Sequence, residues 1–342
     1  MAAEKGLGIK NMINVKNTYG KLKEILLGDF DPGILKLVAE ENRPKIEWVY
    51  EQSTEDLTSI QKILEDWGVQ VHRPKMFDSA REFNLPRCTI YGQKIPLTPR
   101  DHFLILGDTV IETASYNRDA FFVGSYWRDT LNHCFDQGAK WISMPYPMND
   151  IDDVDEFEDG IPNVDPMIDA PNVLIHNDVL FLGTRGSANP RGVQWIERHY
   201  GDQYKIIKMN PDKFIGHLDT HMNILKPGLL FTFHDREDFP DYFNDWEIIK
   251  PNTQLDHLLR MQQRVLDGRI QDDDFMNTVL IINSLSLDEK TLLVHDIYKD
   301  KEYELIKELE SRGFEFIFFP FKYAHFVNNG ISCMTLEINR ES

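Results

Sequence analysis

The chain of 342 residues contains little cysteine and no long apolar run. Its three cysteines, Cys88, Cys134 and Cys333, have no short-range pairing, which excludes a disulfide framework and fits a reducing compartment. No apolar run reaches the length of a membrane span, and the N-terminal region contains no apolar signal-peptide core. The expected location is therefore the cytoplasm.

Positive charge is also scarce. Lysine and arginine together number 37 against 56 aspartates and glutamates, which gives a net charge of −19. This excess of negative charge argues against a nucleic-acid or anionic-membrane partner and is compatible with the steering of cationic ligands. With 42% hydrophobic and 27% charged residues, the composition is that of a globular protein that buries a large core.

Several site signatures are absent as well. The sequence has no Gly-rich phosphate loop and no close-spaced Cys/His zinc pattern. The acidic stretch at residues 149–165 lacks the alternating ligand spacing of an EF-hand and is interpreted as a solvated surface loop. We therefore expect chemistry without a cofactor or metal. No low-complexity linker divides the chain, so we expect a single domain over residues 1–342.

What the chain does contain is a repeated local pattern. Apolar residues at helical spacing over residues 57–67 are followed by Gly68 and a short alternating strand that stops at Pro74. The same order of helix, glycine and strand recurs over residues 303–320 and, more weakly, over residues 193–209. This repetition indicates an α/β module that closes radially, and an ordinary α/β sandwich is the alternative that periodicity leaves open.

Cys333 follows a glycine turn and precedes a strand pattern, where a lone cysteine is usually buried packing. A His-x-Asp pair at His217 and Asp219, with Asp169 before Ala-Pro, suggests instead a nucleophile, a base and carboxylates that converge in space. On a strand, His217 and Asp219 would share one face. A hydrogen-bonded structural pair and a turn aspartate are the alternatives.

Two further charged residues lie beside predicted strands. Asp101 precedes a strand predicted over residues 103–106, from where it could reach the site or merely pair with Arg100. Arg236 follows another apolar run and could bind a carboxylate through two nitrogens, or be a surface arginine. The residues alone leave these alternatives open.

With these segments in this order, the chain resembles the amidinotransferases, the family of arginine:glycine amidinotransferase and the inosamine-phosphate amidinotransferases. The resemblance extends over nearly the whole chain and is carried by residues 19–28, 68–74, 99–101, 111–112, 169–170, 217–219, 223–224, 227–228, 287–290 and 330–335. It implies an α/β fold of the pentein type, a five-bladed propeller of ββαβ modules around a pseudo-fivefold axis and a central site.

The same resemblance implies roles for individual residues. Cys333 is expected to be the nucleophile, His217 the general acid/base, and Asp169 the carboxylate that orients the histidine. Asp101 and Asp219 are expected to bind the guanidinium group of arginine.

Three more residues are expected at the substrate. Arg236 is expected to bind the α-carboxylate of the donor. Phe214 and Gly216 stand where the glycine-using enzyme has Asn and Met, which shape its acceptor pocket. The Phe-x-small pattern is more similar to relatives in cyanobacterial toxin pathways, which also start from arginine.

The implied activity is transfer of the amidino group of L-arginine to an acceptor amine through an S-amidino-cysteine, with release of ornithine and ping-pong kinetics. A guanidine hydrolase of the same fold, such as an arginine deiminase or dihydrolase, and a non-catalytic arginine-binding protein are the alternatives. The expected partners are small molecules. Family members are often homodimers, although the sequence shows no interface signal.

Overall fold

The computed structural model of the chain describes residues 13–77, 82–84, 89–91, 94–115, 117–147, 157–158, 161–162, 165–251, 281–296, 298–320 and 330–341. Cys88 and most of the acidic stretch predicted as a surface loop lie outside these residues. Within them, no helix is both long enough and apolar enough to cross a membrane.

Among the described residues, five three-stranded sheets and two hairpins form the framework. The strands are β1 (Leu22–Leu27), β2 (Gln70–His72), β3 (Glu82–Asn84), β4 (Thr89–Tyr91), β5 (Phe103–Leu106), β6 (Thr109–Glu112), β7 (Lys140–Ser143), β8 (Phe157–Glu158), β9 (Ile161–Pro162), β10 (Val173–His176), β11 (Val179–Leu182), β12 (Lys205–Lys208), β13 (Met222–Lys226), β14 (Leu229–Thr232), β15 (Glu247–Ile249), β16 (Leu285–Ser286), β17 (Thr291–His295), β18 (Glu315–Phe319) and β19 (Thr335–Arg340). The α-helices are α1 (Arg43–Asp66), α2 (Arg128–Asp136), α3 (Pro190–Tyr200), α4 (Tyr298–Lys301) and α5 (Tyr303–Ser311).

Each three-stranded sheet repeats one topology, and we call each sheet a blade. The blades are β19-β1-β2, β5-β6-β7, β10-β11-β12, β13-β14-β15 and β16-β17-β18. In every blade the first strand is antiparallel to the second, and the second is parallel to the third. The first blade takes its first strand from the C-terminal end of the chain, since Thr335 of β19 pairs with Leu27 of β1.

The parallel pair in each blade requires a crossover connection. The segment α1 connects β1 to β2, α2 connects β6 to β7, α3 connects β11 to β12, and α4 with α5 connects β17 to β18. The crossover of the fourth blade contains two short 3-10 helices, Arg236–Asp238 and Asp241–Phe243. This explains why the sequence shows no helical periodicity there.

The repeated α/β module predicted from the sequence is confirmed. The three predicted copies correspond to α1 with β2, α3 with β12, and α5 with β18. The pair of α2 and β7 is a fourth copy that was not predicted, because α2 buries only Leu131 and Cys134 and so carries a weak apolar pattern. Gly138, between α2 and β7, has a φ of 96°, a conformation that favours glycine after a helix.

The helices pack their apolar faces against the blades. Leu57, Ile60 and Leu64 of α1 are completely buried, in one cluster with Leu305 and Leu309 of α5. Burial of each such side chain contributes about 1.5–3 kcal/mol. A second cluster joins the blades of β5 and β10 to β19, and a third joins the blades of β10 and β13.

A short segment precedes the first strand of every blade, and these strand-leading segments contain the residues of the candidate site. Three of them are 3-10 helices, Pro99–Asp101, Ala170–Asn172 and Leu218–Thr220, ahead of β5, β10 and β13. The other two are turns at residues 281–283 and 331–334, ahead of β16 and β19. The pseudo-fivefold topology makes the five segments equivalent.

His217 and Asp219 do not lie on a strand, so the shared strand face considered from the sequence is not formed. His217 is the N-cap residue of the 3-10 helix that contains Asp219, and β13 begins only at Met222. The hydroxyl of Thr220 and its main-chain N–H both donate to the carbonyl of His217, so the turn satisfies its own hydrogen bonds.

Candidate active site

Cys333 lies in the turn that leads into β19 and is only 5% exposed. Its Sγ atom is 3.3 Å from Nδ2 of Asn283 and 3.8 Å from Oδ2 of Asp219. The thiol also lies near the imidazole of His217, since each of the two groups shifts the pKa of the other. The predicted nucleophile and the predicted base, which are distant in sequence, therefore lie in the same site.

His217 is held by two carboxylates. Its Nε2 lies 3.2 Å from Oδ2 of Asp169, and its Nδ1 lies 3.8 Å from Oδ1 of Asp101. The Asp169 segment is fixed in turn by Asn172, whose Nδ2 donates to the carbonyls of Asp169 and Ser187. The structure thus places Asp169 where it can orient the imidazole, with Nδ1 on the opposite side of the ring.

Asp101 and Asp219 each have one carboxylate oxygen close to a cationic side chain. Oδ2 of Asp101 is 3.3 Å from Nζ of Lys94. Oδ2 of Asp219 is 3.4 Å from Nε of Arg100 and accepts a hydrogen bond from Oγ of Ser332 at 3.2 Å. The sequence alternative of an Asp101–Arg100 pair is not what the structure shows, because Arg100 contacts Asp219 and Glu337 instead.

The other oxygen of each carboxylate is available. Oδ1 of Asp101, Oδ1 of Asp169 and Oδ1 of Asp219 are buried and have no hydrogen-bond partner among the residues that the structure describes. Buried acceptors are normally satisfied, so three such oxygens around one thiol indicate a place for a ligand with several N–H donors.

The protonation states of the pair follow from its surroundings. Burial raises the pKa of the Cys333 thiol to about 11, and the negative charge of Asp219 acts in the same direction. Burial opposes protonation of His217, but hydrogen bonds to Asp169 and Cys333 and the charge of Asp101 outweigh it and hold its pKa well above the usual range. Before a substrate binds, Cys333 is therefore a neutral thiol and His217 an imidazolium at neutral pH.

Asp101 remains ionised despite its burial. Desolvation would raise the pKa of this carboxyl group, but the charges of His217 and Lys94 outweigh it and lower the pKa below its usual value. The adjacent His102 is neutral, because burial lowers its pKa to about 4. The site thus holds an ionised Asp101 near the thiol, an arrangement suited to a cation.

A buried chain of ion pairs extends from Asp219 of the site to β19. Arg100 Nη1 lies 2.9 Å from Oε2 of Glu337, and Oε1 of Glu337 lies 3.2 Å from Nη2 of Arg340. Arg340 is 1% exposed and donates to the carbonyls of Gly20 and Ser286. These contacts join β19 to the segments that carry Asp219 and Arg100.

The two residues expected at the acceptor pocket, Phe214 and Gly216, lie in the segment before His217. Phe214 is 0% exposed, with ring centroids 4.4 Å from His234 and 5.1 Å from Phe239, so its side chain belongs to the core. Gly216 has a φ of 89° and donates its N–H to the carbonyl of Arg185. Phe214 can therefore act on the acceptor only by positioning the loop before His217.

Arg236 is engaged by the main chain. Its guanidinium donates to the carbonyls of Phe243, Asn244 and Trp246, which follow it within the same crossover. These contacts hold the loop between β14 and β15. The predicted carboxylate-binding role of Arg236 stays a prediction, and these contacts use three of the five N–H donors of its guanidinium.

Two residues in contact with the site were not predicted. Lys94 is a single lysine in a loop and has no motif that marks it. Asn283 contacts both the sulfur and the main-chain N–H of Cys333. Its signal is positional, because it lies in the strand-leading segment of the fifth blade, the one for which the sequence offered no site residue. Within the described ranges, no group of three His, Cys, Asp or Glu side chains could hold a metal ion.

Comparison with known proteins supports the resemblance. No protein-family model matches the chain. The chain is 27% identical to L-arginine:L-lysine amidinotransferase of Pseudomonas savastanoi pv. phaseolicola over 301 residues, which is 83% of this chain and 78% of the relative. It is 26% identical to the mitochondrial glycine amidinotransferase of Danio rerio over 322 residues, 85% of this chain and 70% of the relative.

The fold is shared with solved structures over nearly the whole chain. An amidinotransferase of the saxitoxin biosynthetic pathway from Microseira wollei superposes with a TM-score of 0.78 and 24% identity, covering 97% of this chain and 98% of that one. The N-terminal domain of a cyanobacterial arginine dihydrolase superposes with a TM-score of 0.56 and 14% identity, covering 94% and 98%. The resemblance to the amidinotransferases is thus confirmed, and the chain has the pentein fold of an enzyme of this class.

Proposed function

We propose that the protein transfers the amidino group of L-arginine to an acceptor amine through an S-amidino intermediate on Cys333. The observation that carries this proposal is the placement of the Cys333 thiol 3.8 Å from Asp219 and near His217, which lies against Asp101 and Asp169. Among the described residues, one oxygen of each of these three carboxylates has no hydrogen-bond partner. A guanidinium group is planar and cationic and presents N–H donors in a fixed geometry, so it matches these acceptors.

Substrate binding activates the thiol in this mechanism. In the empty site the thiol is neutral, because burial and Asp219 disfavour its charged form. A guanidinium bound between Asp101 and Asp219 compensates the carboxylate charge and adds a cation beside the sulfur. An opposite charge at such a distance lowers a pKa by about 1–3 units. The thiol proton leaves to solvent as the cation binds, because His217 is already protonated, and the thiolate forms only where its substrate is present.

The first half-reaction breaks the bond between the guanidino carbon and the side-chain nitrogen of arginine. The Cys333 thiolate attacks the guanidino carbon and forms a tetrahedral adduct. His217 is already protonated and has Nε2 held by Asp169, so Nδ1 gives its proton to the departing nitrogen. Ornithine leaves as the amine, and the amidino group stays on the sulfur.

The second half-reaction reverses these steps with another amine. The acceptor attacks the amidino carbon, the now neutral His217 takes the proton from the acceptor nitrogen, and the carbon–sulfur bond breaks to restore the thiolate. The names of the relatives include lysine and glycine, which both carry a primary amine. We therefore infer a primary amine as the acceptor class.

The test is intact-protein mass spectrometry after brief mixing with arginine, with ornithine and citrulline measured in the same sample. We expect one amidino group on Cys333, one equivalent of ornithine, and little citrulline until an amine is added. Cys333→Ala is the control, and it should bind arginine, gain no mass and release no ornithine. Continuous citrulline or ammonia production without an acceptor would instead identify a guanidine hydrolase.

A further inference from the structure

Asn283 occupies the strand-leading segment of the fifth blade, directly ahead of β16. The equivalent segments of the other four blades carry Asp101, Asp169, Asp219 and Cys333. Asn283 is 4% exposed, so its carboxamide is inside the protein at the same level as the site. Buried amides are retained where their hydrogen bonds are satisfied, and the partners of Asn283 are therefore informative.

The carboxamide of Asn283 contacts Cys333 at two points. Its Nδ2 donates to Sγ at 3.3 Å, and its Oδ1 accepts from the main-chain N–H of Cys333 at 3.3 Å. Nδ2 also lies 3.4 Å from the carbonyl of Asp219. If the amide were reversed, its NH₂ group would face the N–H of Cys333, donor against donor. Its oxygen would face the carbonyl of Asp219, acceptor against acceptor. The hydrogen-bond network therefore assigns the NH₂ group to the sulfur.

The main chain on the N-terminal side of Cys333 packs closely against Asn283. The carbonyl of Asn283 accepts the N–H of Ser332 at 3.4 Å. A Cβ atom added to Gly330 would lie 2.2 Å from Oδ1 of Asn283 and 2.7 Å from its Cβ and Cγ. A glycine is therefore needed at position 330, since any side chain would push the carboxamide away from the thiol.

We propose that Asn283 is a positioning residue for Cys333, which holds the sulfur beside His217 and stabilises the thiolate through its N–H donor. The inference rests on the proposed function for its catalytic meaning. The titratable and charged groups that face the sulfur are Asp219 and Asp101, which oppose the thiolate, and His217 and Arg100, which favour it. Asn283 adds a neutral donor whose contribution does not change when His217 gives up its proton.

The test measures thiol reactivity rather than turnover. Iodoacetamide alkylates the thiolate with loss of iodide, so the rate at Cys333 as a function of pH reports the thiol pKa in the folded protein. Loss of one hydrogen bond to a charged group in Asn283→Ala should raise that pKa by about one unit and slow alkylation about tenfold at neutral pH. Asn283→Asp keeps the size and the acceptor oxygen but loses the donor, and should slow alkylation at least as much.

Asn223→Ala is the matched control. Asn223 donates Nδ2 to the carbonyls of Ile282 and Ser284, each at 3.2 Å, and so holds the same segment without contacting the sulfur. We expect the wild-type alkylation profile in this variant. Equal shifts in Asn283→Ala and Asn223→Ala would reduce Asn283 to a structural residue and overturn the proposal, as would an unchanged profile in folded Asn283→Ala. If Asn283→Ala does not fold, the near-isosteric and uncharged Asn283→Leu, which also lacks the donor, decides the question by the same criterion.

This experiment and the test of the proposed function fail independently. Iodoacetamide requires a thiolate and no guanidine chemistry, so a shifted profile supports Asn283 even where arginine leaves no adduct. A wild-type protein that shows no amidino adduct would overturn the transfer reaction and leave the alkylation result standing. A normal adduct with an unaffected alkylation profile in the Asn283 variants would overturn only the positioning role.

Discussion

Replacement of Asp219 by asparagine should change the thiol and the substrate in opposite directions. Oδ2 of Asp219 lies 3.8 Å from Sγ of Cys333, and its charge is the largest influence after burial that raises the pKa of the thiol. Asparagine has nearly the same shape and no charge, so the thiol of Asp219→Asn should ionise more easily. The same substitution removes a carboxylate that we propose binds the guanidinium group, so turnover should fall.

The size of the first effect can be bounded. Two unit charges about 4 Å apart interact by about 4 kcal/mol at an effective dielectric constant of about 20, equivalent to about 3 pKa units. The rise of the thiol pKa from 9.0 to about 11 is smaller, because burial and the carboxylates are opposed by His217. We therefore expect the thiol pKa of Asp219→Asn to fall by about one unit, the low end of this range. The thiolate fraction at neutral pH should then be about tenfold larger.

The assay compares alkylation of Cys333 by iodoacetamide with kcat/KM for arginine. Alkylation should become about tenfold faster, while loss of a buried charge partner worth about 2–5 kcal/mol should lower kcat/KM by a factor of about thirty or more. Asp66→Asn, at an exposed helical ion pair with Lys62, controls for the change in net charge and should alter neither. Slower or unchanged alkylation in Asp219→Asn would refute the assignment of Asp219 as a charge that acts on the sulfur.

Three further predictions concern residues around the pair. Because the pKa of His217 is raised, the stability that it contributes is complete below about pH 6.5 and is lost as pH rises through the raised value. Urea titrations should therefore show the advantage of wild type over His217→Asn shrinking above neutral pH, and a growing advantage would contradict the raised pKa. Glu337→Gln leaves two buried guanidinium groups short of a counter-charge and should cost about 3–5 kcal/mol of unfolding free energy, whereas Glu341→Gln, on the surface, should cause no measurable change. Arg236→Ala should lower the unfolding free energy by about 1–3 kcal/mol through the carbonyls that it leaves without a donor. It should also abolish discrimination between arginine and agmatine, and retained discrimination would exclude the carboxylate-binding role.

The residues of the site could be predicted because their chemistry is unusual in itself. A late cysteine, a His-x-Asp pair and two further aspartates in order carry enough information to be found without a structure, and the structure brings Cys333, His217, Asp101, Asp169 and Asp219 together. The repeated α/β module could be predicted from helices whose apolar spacing is regular and whose ends are marked by glycine. The pentein fold is predicted from the family resemblance, which extends over nearly the whole chain.

What could not be predicted depends on partners distant in sequence. Alternation at residues 217–219 favours a strand, but a strand needs a neighbour, and β14 ends at Thr232, which pairs with Met222. The residues before Met222 therefore form a turn. Phe214 resembles a pocket residue in sequence and is buried because His234 and Phe239 pack against it. Asn283 has no chemical signature, and only its position relative to β16 reveals it.

The arrangement of charges offsets the crowding of three carboxylates in a buried site. Carboxylates crowded together normally become protonated, because each negative charge raises the pKa of the others. Here Lys94 lies behind Asp101, Arg100 lies behind Asp219, and His217 lies beside Asp169. Among the described residues, one oxygen of each carboxylate has no hydrogen-bond partner, although Oδ1 of Asp101 lies 3.8 Å from Nδ1 of His217. The free oxygens can therefore accept from a delocalised cation that has several donors, whereas a neutral amide such as citrulline would leave their charge uncompensated. We therefore expect the site to favour a guanidinium substrate and to disfavour the product of its hydrolysis.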